Sequence, residues 1–440
     1  MGGAATDPLT TGRGDPRCPL RVLMLAIAFP RPNLPEFAVW ALKQAQAIQR
    51  QGVEIEVVSL VPWLPRFLAR RSATARKHIG CPPSHDWRGL HVAYPRWPLY
   101  QFGRLKRQSM KNPGPQQVIA WCFARCRLLH EVRRFRPDVI YAHHTWTNGD
   151  LARRLKRLTG IPYVVTDHDF GEIESCARYP ARRAYFRRVM GNAFCTVAVA
   201  RRMEDSMRRC ISEGARACTV YNGADPMPPG ILERPRPPEL QGKLVVLSAG
   251  LFYPRKGFPK LVEAFARVAP NFPSAVLRIC GDGQDRPAVE KAVRESGVGP
   301  RVSLLGMQPH ERVLQEMAWC DVFALIGRDE PFATVFSEAM SAEKPIIWPS
   351  DSGHAEVLAD RINGCVVPPL AAAEAAAALA SLLGNAEDRG RFGAANRALL
   401  ESRFTWDANA RAMVDLFGAA CTAAAYRPHT LCSSAASSRP

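Results

Sequence analysis

The chain has 440 residues, of which 47% are apolar and 22% are charged, and its formal net charge is +19 at pH 7. This composition excludes collagen-like, coiled-coil and largely disordered proteins, and at roughly 150 residues per domain the length predicts two or three domains. The 13 cysteines are too sparse for a disulfide scaffold and include no CxxC pair, which argues against a structural zinc site.

Neither end of the chain has the pattern of a folded element. Residues 1–17 are small and polar and lack the features of a secretory signal, so we expect a disordered leader. Residues 426–440 are mostly Ser, Ala and Pro, and we expect a disordered tail. No run approaches the roughly 18 uninterrupted apolar residues of a membrane-spanning helix. We therefore expect a cytoplasmic protein. If it attaches peripherally to a membrane, we expect it at the inner face of the cell membrane.

The first half alternates short apolar runs with helical patterns. A helix is predicted from about Glu36 to Gln51, directly after the first apolar run, and another over 149–158. The predicted strands are 21–28, 53–60, 138–144, 161–168 and 194–200. Short buried strands that alternate with helices are typical of a parallel sheet covered on both faces. The segment 61–115 has no clear periodicity.

A second domain of the same kind follows a proline-rich linker. Six prolines between 226 and 242 exclude a helix or a central strand there. Beyond it, strands and helices alternate again, starting with LVVLSAG at 244–250. We therefore predict an α/β protein with two doubly wound Rossmann-like domains, 18–225 and 243–425, joined by the linker 226–242. The last helix, about 406–420, is a candidate to pack back on the first domain.

The excess positive charge lies entirely in the first half of the chain. Residues 1–240 contain 38 Lys and Arg against 19 Asp and Glu, whereas residues 241–440 contain 21 of each. A solvated basic surface is one explanation of this charge distribution. Attraction to anionic lipid headgroups, nucleic acid or a phosphorylated substrate is an equally good explanation.

The candidate site residues of the second domain follow its strands, where parallel sheets bind ligands. Arg255 and Lys256 lie on a loop that leads into a helix at Gly257, and cations beside a helix N-terminus are suited to phosphate. Gly281 begins a tight turn after the next strand. Each of these motifs is weak by itself, because basic loops and glycine turns are usually only solvated.

The strongest local signal is DEPFATVFSEAM at 329–340. Glu330 precedes a helix whose first turn contains Ala333 and Thr334, and Glu338 lies on the same helix face as Thr334. A diphosphate bound by the amides at 333–335 would have a carboxylate on either side, and carboxylates bind sugar hydroxyls well. An exposed Glu338 and a Glu330 that only complements the helix dipole remain the simpler alternative.

Two strands of the first domain end in histidines. His143 and His144 follow one strand, and His168, between Asp167 and Asp169, follows the next, so all should face one crevice. Histidines at such positions are more often structural, and no third ligand at metal spacing accompanies them.

Taken together, these residues resemble glycosyltransferase family 4, the group 1 glycosyl transferases, which are retaining enzymes of the GT-B fold with two facing domains and a deep cleft. The segment EPFATVFSEAMSAEKPII resembles the E-x7-E motif of the family. Supporting pieces are AGLFYPRKG, ICGDGQ, SGHAEVL and the YNGAD that precedes the linker. The resemblance runs from about Arg21 to Leu416.

The resemblance implies roles for matching residues. Lys256 should bind the donor diphosphate, Glu330 the donor sugar and Glu338 the ribose, with His168 lining the acceptor side. The diphosphate should be bound by the backbone amides of Phe332, Ala333, Thr334 and Val335. The catalytic residues would be His168, Glu330 and Lys256. Arg255 and Gly281 complete the donor side, and His143, His144 and Asp169 the acceptor side. No metal or other cofactor is implied. Leu251 stands where the family usually has Arg, and Arg255 is the candidate substitute.

We therefore expect a hexosyltransferase-type enzyme that moves a sugar from a UDP- or GDP-sugar to an acceptor hydroxyl with retention, in polysaccharide or glycolipid assembly. The acceptor would be lipid-linked or an oligosaccharide. A nucleotide-sugar-binding protein with impaired turnover is the alternative suggested by Leu251. A nucleic-acid-binding role is suggested by the basic first half, but no recognisable nucleic-acid module accompanies it, and we expect no such partner.

The charge split also suggests that the first domain docks on an anionic membrane. Basic clusters lie at Arg70-Arg71, Arg104 to Lys111, Arg182-Arg183 and Arg187-Arg188, and the nearby aromatic residues are Trp63, Phe67, Trp97, Tyr100 and Phe102. Aromatic rings and basic side chains together favour a membrane interface. The alternative is that the rings belong to the core and the arginines are only solvated.

Overall fold

The computed structural model describes residues 19–65, 67, 76, 78–98, 103–214 and 216–425, with the side chains of 103–106 and 425 excepted. The leader and the tail expected at the two ends lie outside these residues. Within them, the chain forms two α/β units, each built on a mainly parallel sheet.

The first sheet has eight strands in the order β10-β9-β8-β7-β1-β2-β5-β4. All neighbours are parallel except β4 and β5, which form an antiparallel hairpin at the edge. The strands are β1 (Arg21–Ala26), β2 (Glu54–Val58), β4 (Ser84–Trp87), β5 (Leu90–Ala93), β7 (Val139–His143), β8 (Tyr163–Asp167), β9 (Cys195–Ala198) and β10 (Ala217–Thr219), and a separate two-stranded ladder joins β3 (Val61–Pro62) to β6 (Arg96–Trp97). The helices are α1 (Val39–Arg50), α2 (Gly103–Lys111), α3 (Gly114–Phe135), α4 (Asp150–Thr159), α5 (Phe170–Arg178), α6 (Pro180–Asn192) and α7 (Arg201–Cys210).

The second sheet has six parallel strands in the order β13-β12-β11-β14-β15-β16. They are β11 (Leu244–Ala249), β12 (Ala275–Cys280), β13 (Val302–Gly306), β14 (Val322–Ala324), β15 (Ile346–Pro349) and β16 (Gly364–Val367). The helices are α8 (Phe258–Val268), α9 (Arg286–Glu295), α10 (His310–Trp319), α11 (Thr334–Ser341), α12 (Ala372–Gly384), α13 (Ala386–Arg403) and α14 (Trp406–Ala425). The inner strands β11, β12, β14 and β15 are almost entirely buried, because helices cover both faces of the sheet, which is why they read as continuous apolar runs. The edge strands β13 and β16 are partly exposed.

The two sheets face each other with their carboxyl ends. Arg201 and Arg202, which follow β9, contact Glu356 and Asp329 on the loops that follow β15 and β14. The predicted pair of facing doubly wound domains is therefore confirmed, and ligands of such sheets bind at this edge.

The last helix, α14, leaves the second domain and packs on the first. Met413 and Phe417 belong to the same apolar cluster as Val22 and Met24 of β1. Asn409 accepts a hydrogen bond from Gln44 of α1 at 2.7 Å. The chain therefore connects the domains twice, once through the linker and once at the start of α14.

The helix predicted to begin at about Glu36 begins at Val39. Residues before it form turns, in which the Leu34 amide donates to the Arg31 carbonyl at 2.8 Å and the Phe37 amide donates to the Leu34 carbonyl at 3.2 Å. Ala38 adopts a left-handed conformation with φ of 53° at the helix start. Glu36 is therefore an exposed turn residue and not part of the first helical turn.

Candidate functional site

A buried carboxylate organises the predicted donor side of the second domain. Glu330 is only 2% exposed, and its two carboxylate oxygens accept from Arg255 Nη1 at 2.6 Å and from Lys256 Nζ at 2.8 Å. Burial lowers the pKa of Lys256, whereas the charge of Glu330 opposes that change. The structure thus brings together three of the predicted site residues, and the pair of cations leaves the cluster with one excess positive charge.

Close backbone approach holds the loop that carries these cations. A Cβ atom on Gly281 would lie 1.9 Å from the carbonyl oxygen of Gly250, and Gly281 has a φ of 140°. Only glycine fits there. Gly281 therefore fixes the loop that leads to Arg255 and Lys256. Leu251 is half-exposed on the same loop and supplies no charge.

The N-terminus of α11 has no side-chain cap. Ala333 is its N-cap residue and carries no side-chain oxygen, so the first amides of the helix are available to a ligand. The Glu330 cluster precedes this helix by a few residues in the chain. Free amides, a helix dipole and two cations suit a diphosphate. Phe332, in contrast, is 4% exposed, so only its backbone can take part in binding.

Glu338 has a partner that the sequence reading missed. His310, the first residue of α10, lies with its Nε2 3.0 Å from Oε1 of Glu338, and this hydrogen bond raises the pKa of His310. His310 follows β13, so the strand-end rule used for the other residues would have found it. The Glu338 side chain is 19% exposed, which leaves the carboxylate open on one side.

His354 packs against the segment that precedes α11. Its ring is fully buried and stacks on Phe332 with 3.8 Å between ring centroids. Burial lowers the pKa of His354 to about 3, so the ring is neutral. The ring therefore packs against the segment that leads into α11 and against Phe336 within the helix.

On the first domain the three predicted histidines form one aromatic cluster with Trp40 of α1. The ring centroids of Trp40 and His168 are 4.4 Å apart, and those of His143 and His168 are 5.1 Å apart. His143 is fully buried beneath Trp40, so it is not at the surface of the cleft, whereas His144 and His168 are partly exposed. Burial lowers the pKa of both His143 and His168 well below the usual value.

The predicted acceptor side combines acidic side chains around Asp167 with a histidine. His144 Nδ1 lies 3.5 Å from Asp167. Burial lowers the pKa of His144, but the hydrogen bond and the charge of Asp167 raise it by more, so the net shift is upward. Burial and the neighbouring Asp167 raise the pKa of Glu172 to about 7. Asp169 is exposed and caps α5, accepting from the Glu172 amide at 3.2 Å. The structure thus gives Asp169 a helix-capping contact.

Part of the predicted membrane surface is wrong. Trp97 is fully buried, because its ring fills the core of the first domain. Arg182 is 3% exposed and donates to the Met110 carbonyl at 3.0 Å. Trp63 and Phe67 are 54% and 64% exposed, as the expectation requires. Of the other members, the structure shows as exposed Arg107, Lys111, Arg183, Arg187 and Arg188, whereas Arg70, Arg71, Tyr100 and Phe102 lie outside the described residues.

Two absences apply to the described part of the chain. No helix there is long and apolar enough to span a membrane. The same residues contain no group of three or more His, Cys, Asp or Glu side chains placed to hold a metal ion.

Comparison with known proteins places both domains in one group. The family model for Glycosyl transferases group 1 matches residues 232–399, and the Glycosyl transferase 4-like domain matches residues 38–223. The chain is 26% identical over 411 residues to a D-inositol 3-phosphate glycosyltransferase from Nocardia farcinica, covering 87% of this chain and 84% of that one.

A second relative and a solved structure agree with these matches. The lipopolysaccharide core biosynthesis glycosyltransferase LpsE from Rhizobium meliloti is 28% identical over 242 residues, 55% of this chain and 64% of that protein. HepE from Anabaena, solved in complex with UDP-glucose, superposes with a TM-score of 0.66 at 17% identity, covering 91% of this chain and all of that one.

The two family matches lie on the two domains and together cover most of the chain. They confirm the resemblance found in the sequence, and the solved structure has the same fold. The chain therefore belongs to the group 1, family 4-like glycosyltransferases and is a glycosyltransferase of the GT-B fold.

Proposed function

We propose that the protein transfers a sugar from a UDP-sugar to a hydroxyl of a carbohydrate or lipid-linked acceptor, with retention of the anomeric configuration and without a metal ion. The observation that carries this proposal is the Glu330 cluster beside the uncapped N-terminus of α11. HepE contains UDP-glucose in its structure, which favours uridine over guanosine as the donor base.

Charge stabilisation of the leaving diphosphate is the central step in this proposal. Negative charge grows on the diphosphate as the sugar leaves, and Lys256, Arg255 and the amides of α11 stabilise that charge. Glu330 holds the cations before the donor arrives, so little reorganisation is needed. Glu338 would accept hydrogen bonds from ribose hydroxyls on the side that His310 leaves open.

Retention follows from which face the acceptor uses. Glu330, the buried carboxylate of the cluster, is occupied by two cations, so it is poorly suited to attack the sugar as a nucleophile. Attack from the face on which the diphosphate leaves would retain the configuration, with a phosphate oxygen taking the acceptor proton. His168 and Trp40 would line the acceptor side.

The test is release of nucleotide diphosphate from labelled UDP- and GDP-sugars by the full-length protein. We expect turnover with a UDP-sugar in the presence of EDTA and an unchanged anomeric configuration of the product by NMR. Lys256→Ala should lose turnover, and Lys260→Ala, which removes an exposed lysine of α8, is the matched control. Binding without turnover would instead support the impaired nucleotide-sugar-binding protein.

Polysaccharide or glycolipid assembly is the setting we propose for this reaction. LpsE, named for lipopolysaccharide core biosynthesis, motivates it. A lipid-linked acceptor would be reached at an anionic membrane through the basic first domain and the exposed Trp63 and Phe67. Sedimentation with anionic vesicles should require low salt and both aromatic residues, whereas Ile362→Ala, at an exposed apolar position of the second domain, should bind normally. Equal binding to neutral vesicles would contradict this part of the proposal.

A further inference from the structure

A carboxylate of the second domain caps a helix of the first. Glu356 follows β15, and its Oε2 and Oε1 accept from the backbone amides of Arg201 at 2.8 Å and Arg202 at 2.7 Å. These are the first two residues of α7. The hydroxyl of Tyr221, just before the linker, donates to the same carboxylate at 3.1 Å.

Helix α7 has no cap of its own. Its N-cap residue is Ala200, which offers no side-chain acceptor, and its first amides therefore depend on a residue 155 positions away in the chain. A carboxylate at a helix N-terminus gains from both the hydrogen bonds and the helix dipole. The contact thus joins the stability of α7 to the position of the second domain.

The same contact reaches the donor cluster. The amide of Gly353, three residues before Glu356, donates to the carbonyl of Glu330 at 2.9 Å. A Cβ atom on Gly353 would lie 1.7 Å from the carbonyl oxygen of Pro331 and 2.8 Å from the Cβ of Ala200. No larger residue fits between the two domains at this point.

A salt bridge runs parallel to it. Arg202 lies 3.2 Å from Asp329, the residue before Glu330, and Asp329 adopts a left-handed conformation with φ of 52°. The guanidinium of Arg202 also lies 4.6 Å from the ring centroid of Phe170, two residues after His168. Arg202 therefore contacts both the donor loop and the acceptor side.

We propose that Glu356 and Arg202 are positioning residues that hold the donor loop 329–331 against the first domain, so that a sugar at Glu330 faces the acceptor beside His168. The inference rests on the proposed function. Neither side chain touches the reacting atoms. Their contribution is the relative placement of the two substrates, and a misplacement of about 1 Å is enough to reduce a rate about 100-fold.

The test separates capping from positioning. Ala200→Ser gives α7 a cap of its own, so a Glu356→Ala/Ala200→Ser variant keeps a capped helix but lacks the contact between domains. We expect hydrogen exchange at the amides of 201–203 to be faster in Glu356→Ala and restored in the double variant. Small-angle scattering of the full-length protein in the presence of UDP measures how extended the molecule is. We expect both variants to remain more extended than the wild type.

The kinetic readout uses the donor and acceptor identified by the assay above. In the double variant, kcat should fall about tenfold or more while the affinity for UDP stays within about twofold, because the donor cluster is intact. Glu387→Ala, an exposed first-turn glutamate of α13, is the control for the change of charge. A scattering curve and a kcat equal to those of the wild type would overturn the inference. If the wild type turns over no nucleotide sugar, the proposed function fails, whereas scattering and exchange still decide whether Glu356 joins the domains.

Discussion

At the scale of single residues, Glu330 holds the two cations of the proposed donor site. A buried carboxylate with two cations is stable because its charge is compensated, and removing both partners would leave it uncompensated. The two cations have different surroundings: Lys256 is mostly buried, whereas the Arg255 side chain is 42% exposed. Lys256 is therefore the cation held more rigidly.

Lys256→Ala should reduce kcat about 100-fold to 1,000-fold, because it removes a preorganised donor of charge stabilisation. Stability should fall less than in the Arg255→Ala/Lys256→Ala variant, for which a loss of about 3–5 kcal/mol is expected because Glu330 has then lost both cations. Steady-state kinetics and urea denaturation measure the two effects. Normal turnover in Lys256→Ala would assign the charge stabilisation to Arg255.

The His310–Glu338 pair should make stability depend on pH. The folded-state pKa of His310 is raised by Glu338 above its unfolded value of about 6.5. The pair therefore stabilises the fold fully below about pH 6.5 and loses this contribution as the pH rises through the folded-state pKa. The difference in unfolding free energy between wild type and His310→Gln should shrink from about pH 5 to about pH 9. Glu338→Gln should behave in the same way, and a constant difference would contradict the pairing.

At the scale of elements, the ends of two helices determine what the cleft can do. Helix α11 leaves its N-terminus uncapped and free for a ligand, whereas α7 receives its cap from Glu356. The two N-termini have the same electrostatic preference for an anion. They differ because the protein supplies the anion in one case and the substrate would supply it in the other.

Ala333→Asp should place a competing carboxylate at the N-terminus of α11. The change should stabilise the helix by about 0.5–2 kcal/mol and weaken the binding of UDP, because the amides are then occupied. The matched control is Ala371→Asp at the uncapped start of α12, where the same change should affect stability but not UDP binding. Calorimetric titration with UDP measures the difference, and unchanged affinity in Ala333→Asp would exclude α11 as the diphosphate site.

At the scale of the whole molecule, α14 comes after the second domain in the chain but packs on the first. Its apolar face packs on α1 and β7, and Phe417 lies 5.2 Å from the ring of Tyr141. The two domains are therefore joined at the linker, at α14 and at the Glu356 contact.

Phe417→Ala should destabilise the first domain, although the residue belongs to the C-terminal segment. Truncating a fully buried Phe is expected to cost about 3–5 kcal/mol in the free energy of unfolding. Urea denaturation followed by hydrogen exchange in β1 and β7 measures the effect. Leu416→Ala, at a partly buried position of the same helix, should cost much less. Loss of protection confined to the second domain would contradict this packing.

The fold class could be predicted from local patterns alone, and the same patterns led to the proposed donor-side residues. Apolar runs separated by helical periods identify parallel strands, and ligand-binding residues follow such strands wherever the chain folds this way. Arg255, Lys256 and Glu330 were found by this rule, and the structure brings them into contact.

Burial and the contacts between distant residues could be read only from the folded chain. Trp97 and Arg182 are residue types that are common at membrane surfaces, but both are buried, because burial depends on neighbours far away in the chain. The stacking of Trp40 on His143 and the capping of α7 by Glu356 join residues that are far apart in the chain. No local sequence pattern predicts either contact. Local patterns do not encode these pairings, because the free energy that selects them is gained only when elements distant in the chain pack together.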